Sequence, residues 1–121
     1  MKKILLDTNF IITCVKQKID FFSEITSMGL SILIPKQVFS ELRRLSEKNE
    51  NAKLSLKILS SKKKLFRIVD LQKYGKITDK RIINFSEKNP GMVIATLDKG
   101  IKKKTINRKM IIRMKKKLEI L

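Results

Sequence analysis

The sequence contains no histidine and no tryptophan, and its only cysteine is Cys14. The lack of histidine excludes a Ser-His-Asp triad, a Cys-His catalytic pair and a zinc site that uses histidine. A single cysteine excludes an internal disulfide and any cysteine cluster for zinc or iron–sulfur. A metal site in this chain must therefore use oxygen ligands, which favours hard cations such as Mg²⁺ or Mn²⁺.

Linkers and long apolar runs are also missing. With only two prolines and four glycines there is no Pro/Gly-rich linker, and we expect one domain over residues 1–121. No stretch approaches the roughly 18 apolar residues of a membrane span. The apolar run that follows Lys3 ends at Asp7, which is too short for a signal peptide. We therefore expect a cytoplasmic protein with no membrane partner.

Positive charge is abundant and unevenly distributed. The chain has 29 Lys and Arg against 11 Asp and Glu, and residues 61–121 carry +14 of the net +18. Lysine triplets stand at Lys62–Lys64, Lys102–Lys104 and Lys115–Lys117. This excess indicates a polyanionic partner, nucleic acid above all, because each Lys or Arg placed on a phosphate releases counterions. The alternative is a compositional bias toward lysine, with the side chains simply solvated.

Short apolar segments alternate with segments of helical periodicity. Strands are predicted at 4–6, 31–34, 65–69, 92–96 and 110–112, with helices at 10–15, 21–27, 35–45, 52–59, from 78 onward and at 98–104. In this scheme Pro35 lies in the first turn of the helix at 35–45, and Thr78 caps the helix that begins there. Strands that alternate with helices predict an α/β fold with a mostly parallel sheet.

Two aspartates directly follow predicted strands. Asp7 comes after the first apolar run, and Asp98 comes three residues after Ala95. Ligands of open parallel sheets bind outside the carboxyl ends of the strands, so both carboxylates are expected at that edge. Alternatively, each aspartate only caps the helix that follows it.

Two further acids lie on predicted helices. Glu41 borders the apolar side of its helix, and Asp79 falls about 60° from Ile82 at ~100° per residue, inside the sector expected to be buried. A carboxylate that faces inward is costly unless it is paired or binds a cation. The alternatives are a pair between Glu41 and Arg43 or Arg44, and a favourable interaction of Asp79 with its helix dipole.

Four segments carry a family resemblance that spans nearly the whole chain. They are Ile4–Asn9 (ILLDTN), Pro35–Leu42 (PKQVFSEL), Thr78–Ile83 (TDKRII) and Val93–Lys99 (VIATLDK). In this order and spacing they resemble the PIN-domain family of metal-dependent ribonucleases. The small archaeal PIN proteins akin to rRNA-processing nucleases look most similar, and the VapC-type toxins come next.

The resemblance implies a three-layer α/β/α fold and assigns roles to individual residues. The acids that match the family's Mg²⁺- or Mn²⁺-binding quartet are Asp7, Glu41, Asp79 and Asp98. The polar positions that match the lining of that pocket are Thr8, Asn9 and Thr96. Two departures stand out, since many relatives have a second acid where this chain has Lys80, and Asn where it has Leu97. Lys80 either weakens a second metal or contacts phosphate.

The expected function is therefore a metal-dependent endoribonuclease in rRNA processing or ribosome assembly. An acidic pocket repels RNA, so basic side chains around it must attract the substrate. The expected RNA contacts are Lys80, Arg81, Lys99, Lys102, Lys103 and Lys104. A VapC-type toxin and a non-catalytic RNA-binding scaffold remain alternatives. The expected partners are RNA, a second copy in a homodimer, and an assembly factor or an antitoxin.

Overall fold

Strands and helices alternate along the computed structural model, which describes residues 2–121. The elements are β1 (Lys3–Leu6), α1 (Thr8–Lys16), α2 (Phe21–Ser27), β2 (Ser31–Pro35), α3 (Lys36–Leu45), α4 (Glu50–Ser61), β3 (Phe66–Val69), α5 (Thr78–Lys88), β4 (Val93–Ala95), α6 (Lys99–Lys103), β5 (Lys109–Arg113) and β6 (Lys117–Ile120). Short 3₁₀ turns precede β3 and α5. No helix of residues 2–121 has the length and apolar character needed to cross a bilayer.

All six strands form one sheet in the order β3-β2-β1-β4-β5-β6. The first five strands are parallel, and β6 pairs antiparallel with β5. From β1 the chain continues to β2 and β3 on one side, and then returns to β4 on the other side. The order of strands thus reverses between β1 and β4, and ligands of open α/β sheets bind at such a point.

Alternating side chains of the strands separate the core into two parts. Ile4 and Leu6 of β1 belong to a cluster with α1, α2, α3 and α4, whereas Leu5 belongs to a second cluster with Ile82 of α5 and Ile101 of α6. This follows from the two-residue period of a strand, which sends neighbouring side chains to opposite faces. Helices therefore cover both faces, and the predicted three-layer α/β/α architecture is confirmed.

Three local expectations were wrong. Pro35 ends β2 and occupies the N-cap position of α3, one residue earlier than expected. Thr78 is the first residue of α5, and Ile77 stands at the cap with no side-chain hydrogen bond. Strand β6 was not predicted at all. It follows a tight turn in which Met114 and Lys115 both have positive φ, at 54° and 59°. Such a turn usually carries Asn-Gly, so the sequence gives no hairpin signal here.

Candidate active site

Asp7 lies at the point where β1 and β4 diverge. Its backbone N–H donates to the carbonyl of Ala95 at 2.9 Å, which extends the pairing of the two strands by one residue. One carboxylate oxygen, Oδ1, accepts from the N–H of Thr8 at 2.8 Å, and the other, Oδ2, accepts from Oγ1 of Thr96 at 2.8 Å. The carboxylate is therefore fixed by contacts on both of its oxygens, while it also caps α1.

Asp98 is joined to the same position through Thr96. The N–H of Asp98 donates to Oγ1 of Thr96 at 3.1 Å, while that hydroxyl donates to Asp7. Oδ1 of Asp98 accepts from the N–H groups of Gly100 and Ile101 at 2.7 and 3.1 Å, so this aspartate caps α6. Thr96 is only 1% exposed. Asp98 thus caps the helix that follows it, and this helix starts at the carboxyl edge of the sheet.

Glu41 reaches this edge from α3. Its Oε1 accepts a hydrogen bond of 3.1 Å from Oγ1 of Thr8, which is 2% exposed. The next residue, Leu42, is fully buried and anchors α3 in the core. Glu41 is half-buried, as the border position predicted. Burial raises the pKa of Glu41 and the charge of Arg44 opposes this rise, yet no ion pair joins Glu41 to Arg44 in the described part of the chain.

The electrostatics show how the acids share one site. Burial raises the pKa of Asp7 above its ordinary value, the hydrogen bonds from Thr96 and Thr8 oppose this, and the charges of Asp79 and Asp98 raise the pKa further. Burial also raises the pKa of Glu41, and the charges of Asp7 and Asp79 add to it. Asp7 and Glu41 are thus each affected by acidic charges from other segments of the chain.

Asp79 is exposed, which contradicts the buried position expected from helical periodicity. It lies in the first turn of α5, before the helix reaches the core at Ile82. Periodicity gives the direction of a side chain but not whether another element lies beneath it. Asn9 is likewise exposed, in the first turn of α1.

The donor chemistry of this edge fits a hard divalent cation. All the available donors are oxygens, and within residues 2–121 none of the four acids forms an ion pair with Lys or Arg. Across the same residues, however, no three acidic or cysteine side chains form a group spaced to hold a metal ion. Like charges keep such side chains apart when no cation neutralises them. Cation binding would thus have to draw the carboxylates together.

The expected RNA contacts differ in their position relative to these acids. Lys80 and Arg81 follow Asp79 in α5, and Lys99 follows Asp98 at the start of α6. Lys102 lies further along α6 and lowers the pKa of Lys109 at the start of β5, although burial contributes more to that shift. The triplet Lys62–Lys64 precedes β3. Because β1 to β5 are parallel, this triplet belongs to the opposite edge of the sheet from the acids.

One set of polar side chains that line a pocket was not predicted from the sequence. Lys36, Gln37 and Gln72 line a polar pocket together with Arg81. A signal was available for Gln37, which stands four residues before Glu41 in α3 and therefore on the same side of that helix. Lysine and glutamine are common on exposed helices, so this spacing alone does not stand out.

Comparison with known proteins agrees with this architecture. A family model described as a PIN like domain matches residues 4–117. "Ribonuclease VapC4" of Methanocaldococcus jannaschii is 34% identical over 131 residues, covering 99% of this chain and 97% of that protein.

Two solved structures share the fold. The PIN domain endonuclease Utp24 superposes with a TM-score of 0.80 at 24% identity, over 98% of this chain and 90% of that one. VapBC2 from Rickettsia felis, bound to a DNA fragment from their promoter, gives a TM-score of 0.58 at 19% identity, over 88% of this chain and 98% of that one. On the extent of the family match and the identity to a curated relative, this chain belongs to the PIN-like domain family.

Proposed function

We propose that this protein is a metal-dependent endoribonuclease that hydrolyses RNA phosphodiester bonds. The observation that carries the proposal is the electrostatic effect of neighbouring acids on two carboxylates, from Asp79 and Asp98 on Asp7 and from Asp7 and Asp79 on Glu41. Buried or mutually repelling carboxylates without a basic partner cost free energy, and a bound cation would remove that cost. The relative named as a ribonuclease supports RNA as the substrate.

Each residue of the proposed site has a distinct role. Asp7 and Asp98 would hold Mg²⁺ or Mn²⁺, and Asp79 and Glu41 would complete its oxygen ligands. Such a cation lowers the pKa of water and stabilises the charge that develops on the phosphoryl oxygens. Thr96 and Thr8 orient the carboxylates of Asp7 and Glu41. The basic residues beside the acids offset their repulsion of the RNA backbone.

Substitution of Asp7 by Asn tests the proposal. The variant keeps a side chain that caps α1 well, because Asn and Asp are equally good N-caps. We expect the wild type to cleave RNA with Mn²⁺ and the Asp7→Asn variant to fall to background. Asp20→Asn is the control, since Asp20 is the N-cap of α2, with its Oδ1 accepting from the N–H of Ser23, and lies outside the site. Cleavage retained by Asp7→Asn, with Asp20→Asn unchanged, would reject the proposal.

Metal binding can be tested separately from catalysis. A cation that binds only the folded state raises the melting temperature. We expect Mn²⁺ to raise it for the wild type but not for Asp7→Asn. A protein that binds RNA but is indifferent to Mn²⁺ in both measurements is the non-catalytic scaffold considered above.

For the biological role we propose RNA maturation in the cytoplasm, with rRNA or its precursor as the target. The second candidate is a toxin ribonuclease controlled by an antitoxin, and the similarity to VapC4 over nearly the full length favours it. Controlled expression distinguishes the two. A toxin arrests growth when expressed alone and is silenced by a small protein encoded beside it, whereas a maturation nuclease is tolerated and its depletion leaves uncut precursor RNA.

A further inference from the structure

A polar pocket of about 290 Å³ lies beyond the carboxyl ends of β2 and β3. Its walls come from α3, from the segment after β3 and from α5, and the lining residues are Lys36, Gln37, Ser40, Asp70, Gln72 and Arg81. Helices α3 and α5 also carry Glu41 and Asp79, which follow Ser40 and precede Arg81 closely in sequence. The pocket therefore adjoins the proposed catalytic edge. Its volume is at the lower limit of small-ligand sites, which start near ~300 Å³.

Gln37 is the unusual member of this lining. Both Oε1 and Nε2 of its amide are buried, and neither has a hydrogen-bond partner. Buried amide groups are almost always hydrogen-bonded, because a group that is removed from water without a partner loses free energy. An amide offers a donor and an acceptor side by side. A ligand whose edge presents the complementary pair would satisfy both atoms at once.

Two cationic side chains line the same pocket as this amide. Lys36 precedes Gln37 in the chain, and Arg81 faces the same pocket from α5. Nε of Arg81 donates to the carbonyl of Gly75 at 2.6 Å, which fixes the guanidinium and leaves its terminal NH₂ groups free to bind another group. Gly75 has a φ of 147°, a conformation that favours glycine, so the loop that holds Arg81 depends on this residue.

The carboxylate of Asp70 is also in the lining, and its Oδ1 accepts from the N–H of Gln72 at 2.9 Å. A carboxylate in the wall disfavours a bare phosphate inside the pocket but can accept a hydrogen bond from an amino group. A lining that combines amide, carboxylate and hydroxyl groups with two cations suits a nucleobase that carries its phosphate on the adjoining surface.

We propose that this pocket binds a single unpaired RNA base next to the cleaved bond. The proposal rests on the proposed function for the identity of the ligand. The Gln37 amide, after rotation of its side chain toward the pocket, hydrogen-bonds the donor–acceptor edge of the base, as amides do in nucleic-acid recognition. Arg81 and Lys36 contact the phosphate of the same nucleotide. The pocket then gives the enzyme a base preference that the acids and the lysines cannot supply.

Equilibrium binding tests this without requiring cleavage. Fluorescence anisotropy in EDTA measures the affinity of the full chain for oligo(A), oligo(C), oligo(G) and oligo(U). We expect one base to bind at least about 5-fold more tightly than the weakest, which is the lower end of the discrimination given by a bidentate amide. In Gln37→Leu this ratio falls below about 2-fold, since no amide remains to select a base. Gln37→Glu, which removes the donor, changes the order of preference.

Gln17→Leu is the matched control. Oε1 of Gln17 is also buried without a partner, but Gln17 follows α1 at the end opposite Asp7. We expect this variant to keep the preference of the wild type. Equal binding of all four oligomers by the wild type, or an unchanged preference in a folded Gln37→Leu, would overturn the proposal.

Cleavage with Mn²⁺ of a random RNA pool, followed by sequencing of the ends, separates the pocket from the catalytic proposal. We expect the preferred base at one fixed position beside the cut in the wild type and at no fixed position in Gln37→Leu. If no cleavage occurs while the binding preference depends on Gln37, the nuclease proposal fails and the pocket stands. If the wild type and Gln37→Leu both cleave with no base preference, the nuclease proposal stands and the pocket proposal fails.

Discussion

The hydroxyl of Thr96 donates a hydrogen bond of 2.8 Å to the carboxylate of Asp7, although the two residues are 89 positions apart. The same hydroxyl accepts from the N–H of Asp98. One buried side chain thus links the ends of β1 and β4 and sets the position of two of the four acids. This link fixes the carboxylate of Asp7 relative to the backbone of Asp98.

Replacing Thr96 by Val removes this link at almost constant volume. The pKa of Asp7 should rise further, because a hydrogen bond that lowers it is lost. We expect the Mn²⁺ concentration for half-maximal cleavage to rise by about 10- to 100-fold, as for other residues that orient metal ligands.

Thr105→Val is the control for this change. Oγ1 of the buried Thr105 donates to the carbonyl of Ile101 in α6 and forms no hydrogen bond with the four acids. Metal titrations that coincide for the Thr96→Val variant and the wild type would contradict the role of this hydroxyl.

The raised pKa values of Asp7 and Glu41 predict how stability depends on pH. A carboxyl group with a folded-state pKa above its unfolded value binds more protons when folded. Its contribution is present in full below the unfolded pKa, near 4, and is lost as pH rises through the folded pKa. In EDTA the metal-free protein should therefore lose stability from these two groups as pH increases from the acid range toward neutrality.

Thermal melts of the wild type and of Asp7→Asn across this pH range provide the measurement. The neutral side chain removes both the burial cost and the repulsion, so Asp7→Asn should melt a few degrees higher at pH 7. The difference should shrink as the pH falls through the raised folded-state pKa of Asp7 and should be gone below about 4, where the carboxyl group is protonated in both states. A difference in melting temperature that does not vary with pH would show that the negative charge of Asp7 does not destabilise the folded protein.

The parallel sheet separates cations near the acids from cations at the other edge. Lys80→Gln with Lys99→Gln removes two charges beside Asp79 and Asp98, and Lys63→Gln with Lys64→Gln removes two before β3. We expect the first pair to weaken RNA binding more and to lower the slope of log K against log salt by up to about 1.4, at ~0.7 per phosphate contact on a single strand. Salt titrations of RNA affinity check this, and equal losses for both pairs would indicate that RNA binds without regard to the acids.

Lys80 occupies a position where many members of the resembled family carry an acid. Lys80→Asp adds a carboxylate beside Asp79 at an exposed position, with little effect on packing. We expect the variant to bind Mn²⁺ several-fold more tightly, seen as a lower concentration for half of the rise in melting temperature, because added ligand charge strengthens the binding of hard cations. Lys76→Asp makes the same charge change in the preceding loop, and an equal gain there would mean that only the general charge matters.

The strands that lie within the sheet could be predicted because each has an unmistakable composition. Ile4–Leu6 and Val93–Ala95 are apolar without interruption, as a strand covered on both faces requires. The edge strand β6 has mixed polarity and follows a turn without glycine, so neither its composition nor its turn revealed it. The burial of Asp79 was predicted wrongly because helical periodicity does not show where a helix extends beyond its sheet.

The sequence by itself determined the chemistry that is open to this protein: oxygen ligands only, a large excess of positive charge, and acids placed directly after apolar strands. Only the tertiary structure decided that Thr96 joins Asp7 to Asp98, that Thr8 joins Glu41 to the same edge, and that the amide of Gln37 is buried without a partner. The reason is physical. Composition and spacing constrain each segment locally, whereas these contacts arise from the order in which parallel strands pair, which brings segments far apart in the chain to one edge of the sheet.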